Sequence, residues 1–185
     1  SAGAYLTSDM AALYESECRA GRAPVSVSLA ERAILARLRA MGEDEMALYD
    51  EGNEGLYHRV FSISRSAVTL EQLLAQIKTK RYAYAALRRM VLRMYLGILP
   101  EETKKELPYL RVLACSERGR AVLKTMKKTA ALPILTKPAG VRSLGEEAQH
   151  LFALEARATD LYALAYPDLI QSIGGSEWTR NPVIW

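Results

Sequence analysis

Apolar residues recur at three- and four-residue spacing along most of the chain, the period of one helix face. The stretch LTSDMAALYESECRAG predicts a first helix, with Thr7 or Ser8 as its cap, Asp9 in its first turn and Gly21 at its end. GRAPVSV then connects. In SLAERAILARLRAMG, Ser28 and Glu31 stand at capping-box spacing; Leu29, Ile34, Leu35, Leu38 and Met41 make one stripe, and Gly42 stops the helix. EDEMALYDEGNEG reads as a short acidic helix and a turn. GLYHRVFSISRSA places Leu56, Val60, Ile63 and Ala67 on one face. TLEQLLAQIKTK opens on Thr69 with Gln72 three residues on, a second capping box, and buries Leu70, Leu73, Leu74 and Ile77. RYAYAALRRMVLRMYLGI follows as a long helix that ends near Gly97 and Pro100.

The pattern changes after the polar connector PEETKKEL. PYLRVLACS alternates and is strand-like, ERGRAVLKTMKK is a short helix, and LPILTK is a second apolar run of strand length. Strand, helix, strand at this spacing predicts a small βαβ element with two short parallel strands. SLGEEAQHLFALEARATDLYALAYP is a closing helix stopped at Pro167, and the tail GGSEWTRNPVIW reads as a loop with an apolar end. No repeat, low-complexity stretch or linker interrupts residues 1–185. The expected class is mainly α: one helical, bundle-like domain with a βαβ element.

Charge sharpens this picture. The net charge is +4, but it is unevenly placed. Residues 1–54 carry five basic and ten acidic side chains, residues 59–137 seventeen and five, and residues 138–185 three and six. A block this basic attracts phosphate backbones; the alternative is that the acidic ends fold over it. Its densest part is KTKRYAYAALRRM, residues 78–90, with five cations, two tyrosines and no acid. On one ideal helix at about 100° per residue, Ile77, Tyr84, Leu87, Val91 and Met94 share a face. Lys78, Arg81, Arg88, Arg89 and Arg93 lie opposite, and Lys80 falls to the side; if the chain breaks at Thr79–Lys80, Arg81, Arg88, Arg89 and Arg93 still stay together. Arginine's planar fork suits phosphate oxygens, and Tyr82 can stack on a base. Tyr84 belongs to the core face. A second basic set comprises Arg111, Arg118, Arg120, Lys124, Lys127, Lys128 and Lys137, with Gly119 at the start of the short helix.

Signals for catalysis are poor. The chain has no Gly-rich phosphate loop, GxSxG or HExxH. Two histidines, His58 and His150, and two cysteines, Cys18 and Cys115, give neither a metal pattern nor a disulfide framework. With no apolar run of membrane-spanning length and no visible leader, a cytoplasmic protein without a membrane role is expected.

EGLYHRV, IKTKRYAYAALRRM, PYLRVLACSERGRAVL, LPILTK and ATDLYAL occur in an order that resembles the C-terminal half of the bacterial tRNA(Met) cytidine acetate ligase family, whose members are also labelled nucleotidyltransferase-like. The likeness runs over residues 5–170. It implies an N-terminal α/β nucleotidyltransferase domain, with an HxGH-like motif, that binds ATP and activates acetate as acetyl-adenylate. The acetyl group then passes to N4 of the wobble cytidine of elongator tRNA(Met), with the helical half helping to hold the tRNA. This chain has no HxGH-like motif. The resemblance therefore implies the C-terminal domain of a larger protein, without cofactor of its own, whose partners are tRNA and that N-terminal domain. The likeness departs at Tyr57 and His58, where the family has polar residues, and at Ala86, where it has an arginine.

The residues expected to bind RNA are Arg59, Lys78, Lys80, Arg81, Tyr82, Arg88, Arg89 and Arg111. For Arg59 and Arg111 the alternative is pairing with buried acids such as Glu54. The rival reading of the whole domain is an interaction module that packs on the catalytic domain or on itself, without touching RNA.

Overall fold

The structure is a computed structural model and describes residues 5–52 and 55–185. Pairing with Glu54 therefore lies outside the described residues. The fold is mainly helical, with two short parallel strand pairs. Its contacts divide the chain into two compact units, each with its own apolar cluster.

The first unit comprises Ser1–Thr103 with Leu161–Ile173. It carries α1 (Ser8–Arg19), α2 (Glu31–Ala40), α3 (Glu43–Ala47), α4 (Leu56–Ser64), α5 (Leu70–Ile77) and α6 (Tyr84–Leu96). Helix α2 packs against α4, α5 and α6, so its Ile34 and Leu38 are sealed at the centre with Val60, Leu73, Ile77, Leu87 and Met94. Leu29 precedes α2 and is exposed rather than extending its stripe, and Ile63 is only half-buried.

The predicted cap of α5 is formed: Thr69 Oγ1 accepts from Gln72 N at 3.0 Å, while Gln72 reaches back to Val68 N at 2.9 Å. The predicted cap of α2 is not. Ser28 bonds Ser26 instead, and the Glu31 carboxylate accepts from Leu70 N at 2.7 Å, the first residue of α5. There the carboxylate satisfies a free amide at the start of α5 and lies at the positive end of that helix's dipole.

Arginines cover helix C-termini in the same fashion. Arg39, in the last turn of α2, donates to the Ser64 and Ala67 carbonyls at the end of α4. Arg65, just past α4, returns the contact to Leu38 and Met41 at the end of α2, and its guanidinium lies 3.6 Å from the Phe61 ring centroid. Arg59 holds the Gln76 carbonyl in the last turn of α5, at 2.6 and 3.1 Å. In a continuous helix that carbonyl would accept from Lys80 N. The single helix laid over residues 78–96 is accordingly broken: α5 stops at Ile77, Lys78 turns extended and α6 begins at Tyr84. Thr79 Oγ1, 3.3 Å from Arg81 N, gives the backbone a local alternative to the helix ladder. The break resets the helix register, and Tyr84 is exposed rather than in the core. Leu87, Met90, Val91, Met94 and Tyr95 form the buried face of α6, which ends at Gly97 with φ 68°.

The second unit comprises Lys104–Asp160 with Gly174–Trp185. It carries β1 (Leu110–Arg111), β2 (Ala114–Cys115), α7 (Glu117–Met126), β3 (Ile134–Leu135), the part of α8 (Glu146–Ala163) up to Asp160, α9 (Ser176–Thr179) and β4 (Val183–Ile184). The predicted parallel pair is present, Leu110 opposite Ile134 and Arg111 opposite Leu135. PYLRVLACS, however, supplies two strands. β2 pairs in parallel with β4, Ala114 opposite Val183 and Cys115 opposite Ile184, so the tail is a strand rather than a loop. Its local alternation is too short to stand out from a coil, and long-range pairing decides it. Tyr109, Leu135, Val141, Ala148, Phe152 and Ala156 form this unit's core. Among the described residues no helix is long and apolar enough to cross a membrane.

Replacing Arg65 by alanine uncovers the last carbonyls of α2. The expected loss is about 1–2 kcal/mol in urea unfolding followed by helix content, and lysine, lacking the planar fork, restores less than half of it.

Candidate nucleic-acid interface

In the first unit the cations of residues 78–93 divide by what holds them. Lys78 is exposed and its ammonium bonds the Thr79 carbonyl. Lys80 and Arg81 are exposed on the connector between α5 and α6. Arg88 and Arg89 are exposed on α6, opposite its buried face. The side chains of Lys80, Arg88 and Arg89 make no hydrogen bond or ion pair among the described residues. Arg93 differs: it pairs with Glu51, an acid supplied from outside the helix. Tyr82 is half-buried against the core. With Ala86, Arg89 and Arg93 it lines a cavity of about 180 Å³, whose far wall holds Asp50 and Glu51. Arg59 is exposed on α4, with its fork on the Gln76 carbonyl.

This arrangement follows from the sequence around it. Residues 78–96 contain no acid, and burial of Leu87, Val91 and Met94 fixes the rotation of α6. Arg88 and Arg89 are therefore left exposed, while Arg93 finds its acid in Glu51, outside the helix. Such a face attracts a polyanion and gives it forked donors at Arg88 and Arg89.

Arg111 belongs to the second unit and is used differently. Only 18% of its side chain is exposed. The guanidinium lies 3.3 Å from Glu155, bonds Glu177, and sits 4.9 Å from the Phe152 ring centroid. Glu155 also accepts from the Tyr109 hydroxyl at 2.9 Å, and Glu177 from Thr159 at 3.1 Å. This is the alternative of pairing with acids, with Glu155 and Glu177 as the partners in place of Glu54. Burial, then the Glu155 carboxylate, push the Tyr109 phenol well above its ordinary value. Sequence spacing of 44 and 66 residues concealed this network.

Of the second basic set, Arg118, Arg120, Lys124, Lys127, Lys128 and Lys137 are all exposed. Ser116 caps α7 by accepting from Gly119 N at 3.1 Å. His58 lies 2.6 Å from Glu43 on an exposed surface. Among the described residues no three His, Cys, Asp or Glu side chains gather as metal ligands.

The family described as HIGH Nucleotidyl Transferase matches residues 2–176. A tRNA(Met) cytidine acetate ligase of Kosmotoga olearia is 30% identical over 190 residues, covering 94% of this chain and 44% of that protein. A tRNA(Met) cytidine acetate ligase of Syntrophomonas wolfei is 29% identical over 180 residues, covering 92% of this chain and 43% of that protein. Crystal structures of Thermotoga maritima TmcAL, one apo and one bound with alpha-thio ATP, superpose with a TM-score of 0.88 at 24% identity over 97% of this chain. The match covers 45% and 47% of those two chains. The chain thus spans less than half the length of the relatives it matches.

Replacing Arg111 by methionine leaves Glu155 and Glu177 facing each other without their cation. Loss of about 3 kcal/mol is expected, read from Trp178, whose ring lies 4.7 Å from Phe152. The buried Tyr109 phenol gives stability its own pH dependence. The folded unit prefers the neutral phenol, so this contribution is complete below about pH 10 and is lost as pH rises beyond it. Tyr109→Phe should flatten the alkaline fall in stability.

Proposed function

The chain belongs to the HIGH nucleotidyl transferase family, and on that premise we propose that it is the RNA-binding part of an ATP-dependent tRNA cytidine acetate ligase-like protein. The observation that carries this reading is the cationic stretch of residues 78–89, which has no acid of its own. Lys80, Arg88 and Arg89 stand exposed there without protein partners, beside a half-buried Tyr82. Salt-bridged surfaces interleave opposite charges; this one offers its donors outward. Arg59 supports the reading from below, by ending α5 where the connector must leave it. Arg111 is not part of this surface, because two carboxylates already engage it.

In this reading the chain's work is positioning. Lys78, Lys80 and Arg81 meet the phosphates along the connector, and Arg88 and Arg89 extend the track along α6. Tyr82 supplies a ring edge at the turn. The relatives' name supports tRNA as the polyanion, and the matched alpha-thio ATP complex supports nucleotide activation by the wider protein. We assign that chemistry, with its ATP, to a nucleotidyltransferase domain N-terminal to these residues in the parent protein.

A second reading has its own observation. Helix α1 buries none of its residues; Met10, Leu13 and Tyr14, with Tyr162 and Tyr166, line a groove of about 630 Å³. An apolar groove of this kind suits a protein partner, such as the catalytic domain or a second copy.

Salt separates the two. If about four phosphates are contacted, raising salt from about 50 to 200 mM should weaken binding to bulk tRNA about 10²-fold. Lys80→Glu/Arg89→Glu should abolish it. Loss of salt sensitivity, or full binding by the double variant, would sink the RNA reading; an apolar interface barely responds to salt.

A further inference from the structure

The cations of α7 surround a separate cavity within the second unit. Its volume is about 410 Å³, within the roughly 300–1,000 Å³ of small-ligand sites. Val112, Leu123 and Ile184 give it an apolar floor. Arg120, Lys124, Lys127 and Lys137 line it as well, and no acid does. The floor exists because β4 pairs with β2, which carries Ile184 and the preceding Asn181 to α7.

The cations are not all answered by the protein. Arg120 leans on Glu117 at 3.2 Å, and Lys127 donates to Thr136 Oγ1 at 2.8 Å. Lys124 and Lys137 make no side-chain hydrogen bond or ion pair among the described residues, and neither does the Asn181 carboxamide. Arg120 and Lys124 are four residues apart on α7, and Lys127, its C-cap, follows Lys124 by three. Like charges at these spacings destabilise a helix. An anion seated between Lys124 and Lys137 relieves that repulsion.

We propose that this cavity takes one unstacked nucleotide of an RNA strand. The base lies on Val112, Leu123 and Ile184, and its phosphate meets Lys124 and Lys137. Asn181 presents a donor and an acceptor side by side, which matches a base edge. An aliphatic acid would use the floor and the cations but leave Asn181 without a partner. Arg118 and Lys128, exposed on and just after α7, stand ready for the flanking phosphates. The inference rests on the RNA reading above and adds a second, base-accepting site to it.

The test is a methyl NMR titration of the full chain with three probes: a mixed-sequence hexaribonucleotide, AMP and inorganic phosphate. The hexanucleotide should shift the methyls of Val112, Leu123 and Ile184, and Lys124→Ala/Lys137→Ala should weaken that response at least tenfold. Asn181→Ala should alter the ranking of homopolymeric hexamers. The Ala85 and Ala86 methyls report on α6 in the same experiment. Shifts at α6 with a silent cavity overturn this inference and leave the RNA reading standing; silence at both overturns both. A cavity that answers inorganic phosphate equally well holds no base site. One that binds AMP more tightly than the hexanucleotide is a free-nucleotide site, and either result overturns the proposal.

Discussion

Helix C-termini expose carbonyls that need donors, and in the first unit arginines from neighbouring segments supply them. Arg39 covers the end of α4, Arg65 covers the end of α2, and Arg59 holds the end of α5. Each contact ties two elements together, so the helices are short but mutually fixed. The same contacts sort the unit's basic residues. Arginines on carbonyls or carboxylates belong to the fold, as Arg93 on Glu51 also does. What remains at Lys80, Arg88 and Arg89 is a set of exposed cations, with the buried face of α6 behind Arg88 and Arg89. The basic character of the chain is thus two populations with different work.

The second unit repeats the division in another form. Arg111 joins strand and helix through Glu155 and Glu177, and its position beside Phe152 places it at the edge of the core. Lys124 of α7 and Lys137 have no such partner among the described residues. The charge count of residues 59–137 registers both kinds alike, which is why net charge indicated a polyanion without saying which side chains meet it.

Much of the first unit was legible in the sequence. The stripes over α2, α4 and α5 are periodic enough to name Ile34, Leu38, Val60, Leu73 and Ile77 as core, and Thr69 with Gln72 marked a true cap. The reading lost its footing where distant residues compete with local ones. Glu31 has the spacing of a capping box, yet its carboxylate serves Leu70, 39 residues away. Helical period runs on through residues 77–94 with a break at Thr79–Lys80 as its alternative, and it is the broken form that stands, because Arg59 takes the carbonyl that would have carried the helix across. Tyr84 left the core as a consequence. The βαβ element was visible from its apolar runs, whereas β4 needed β2 as a partner before its alternation meant anything. For the candidate site, residue type and the lack of acids single out the segment of residues 78–90, in which Lys80, Arg88 and Arg89 are exposed. Separating Arg111 from them required the positions of Glu155 and Glu177, which no local pattern carries.

The central claim is that Arg88 and Arg89 on the outer face of α6 meet RNA while Arg39, Arg59, Arg65, Arg93 and Arg111 serve the fold. Arginine-selective modification by phenylglyoxal, mapped by mass spectrometry with and without tRNA, tests it residue by residue. The expected result is rapid modification of Arg88 and Arg89 in the free chain, strong protection by tRNA, and slow modification of Arg111 in both states. Equal reaction of Arg88 and Arg89 with and without saturating tRNA would contradict the account.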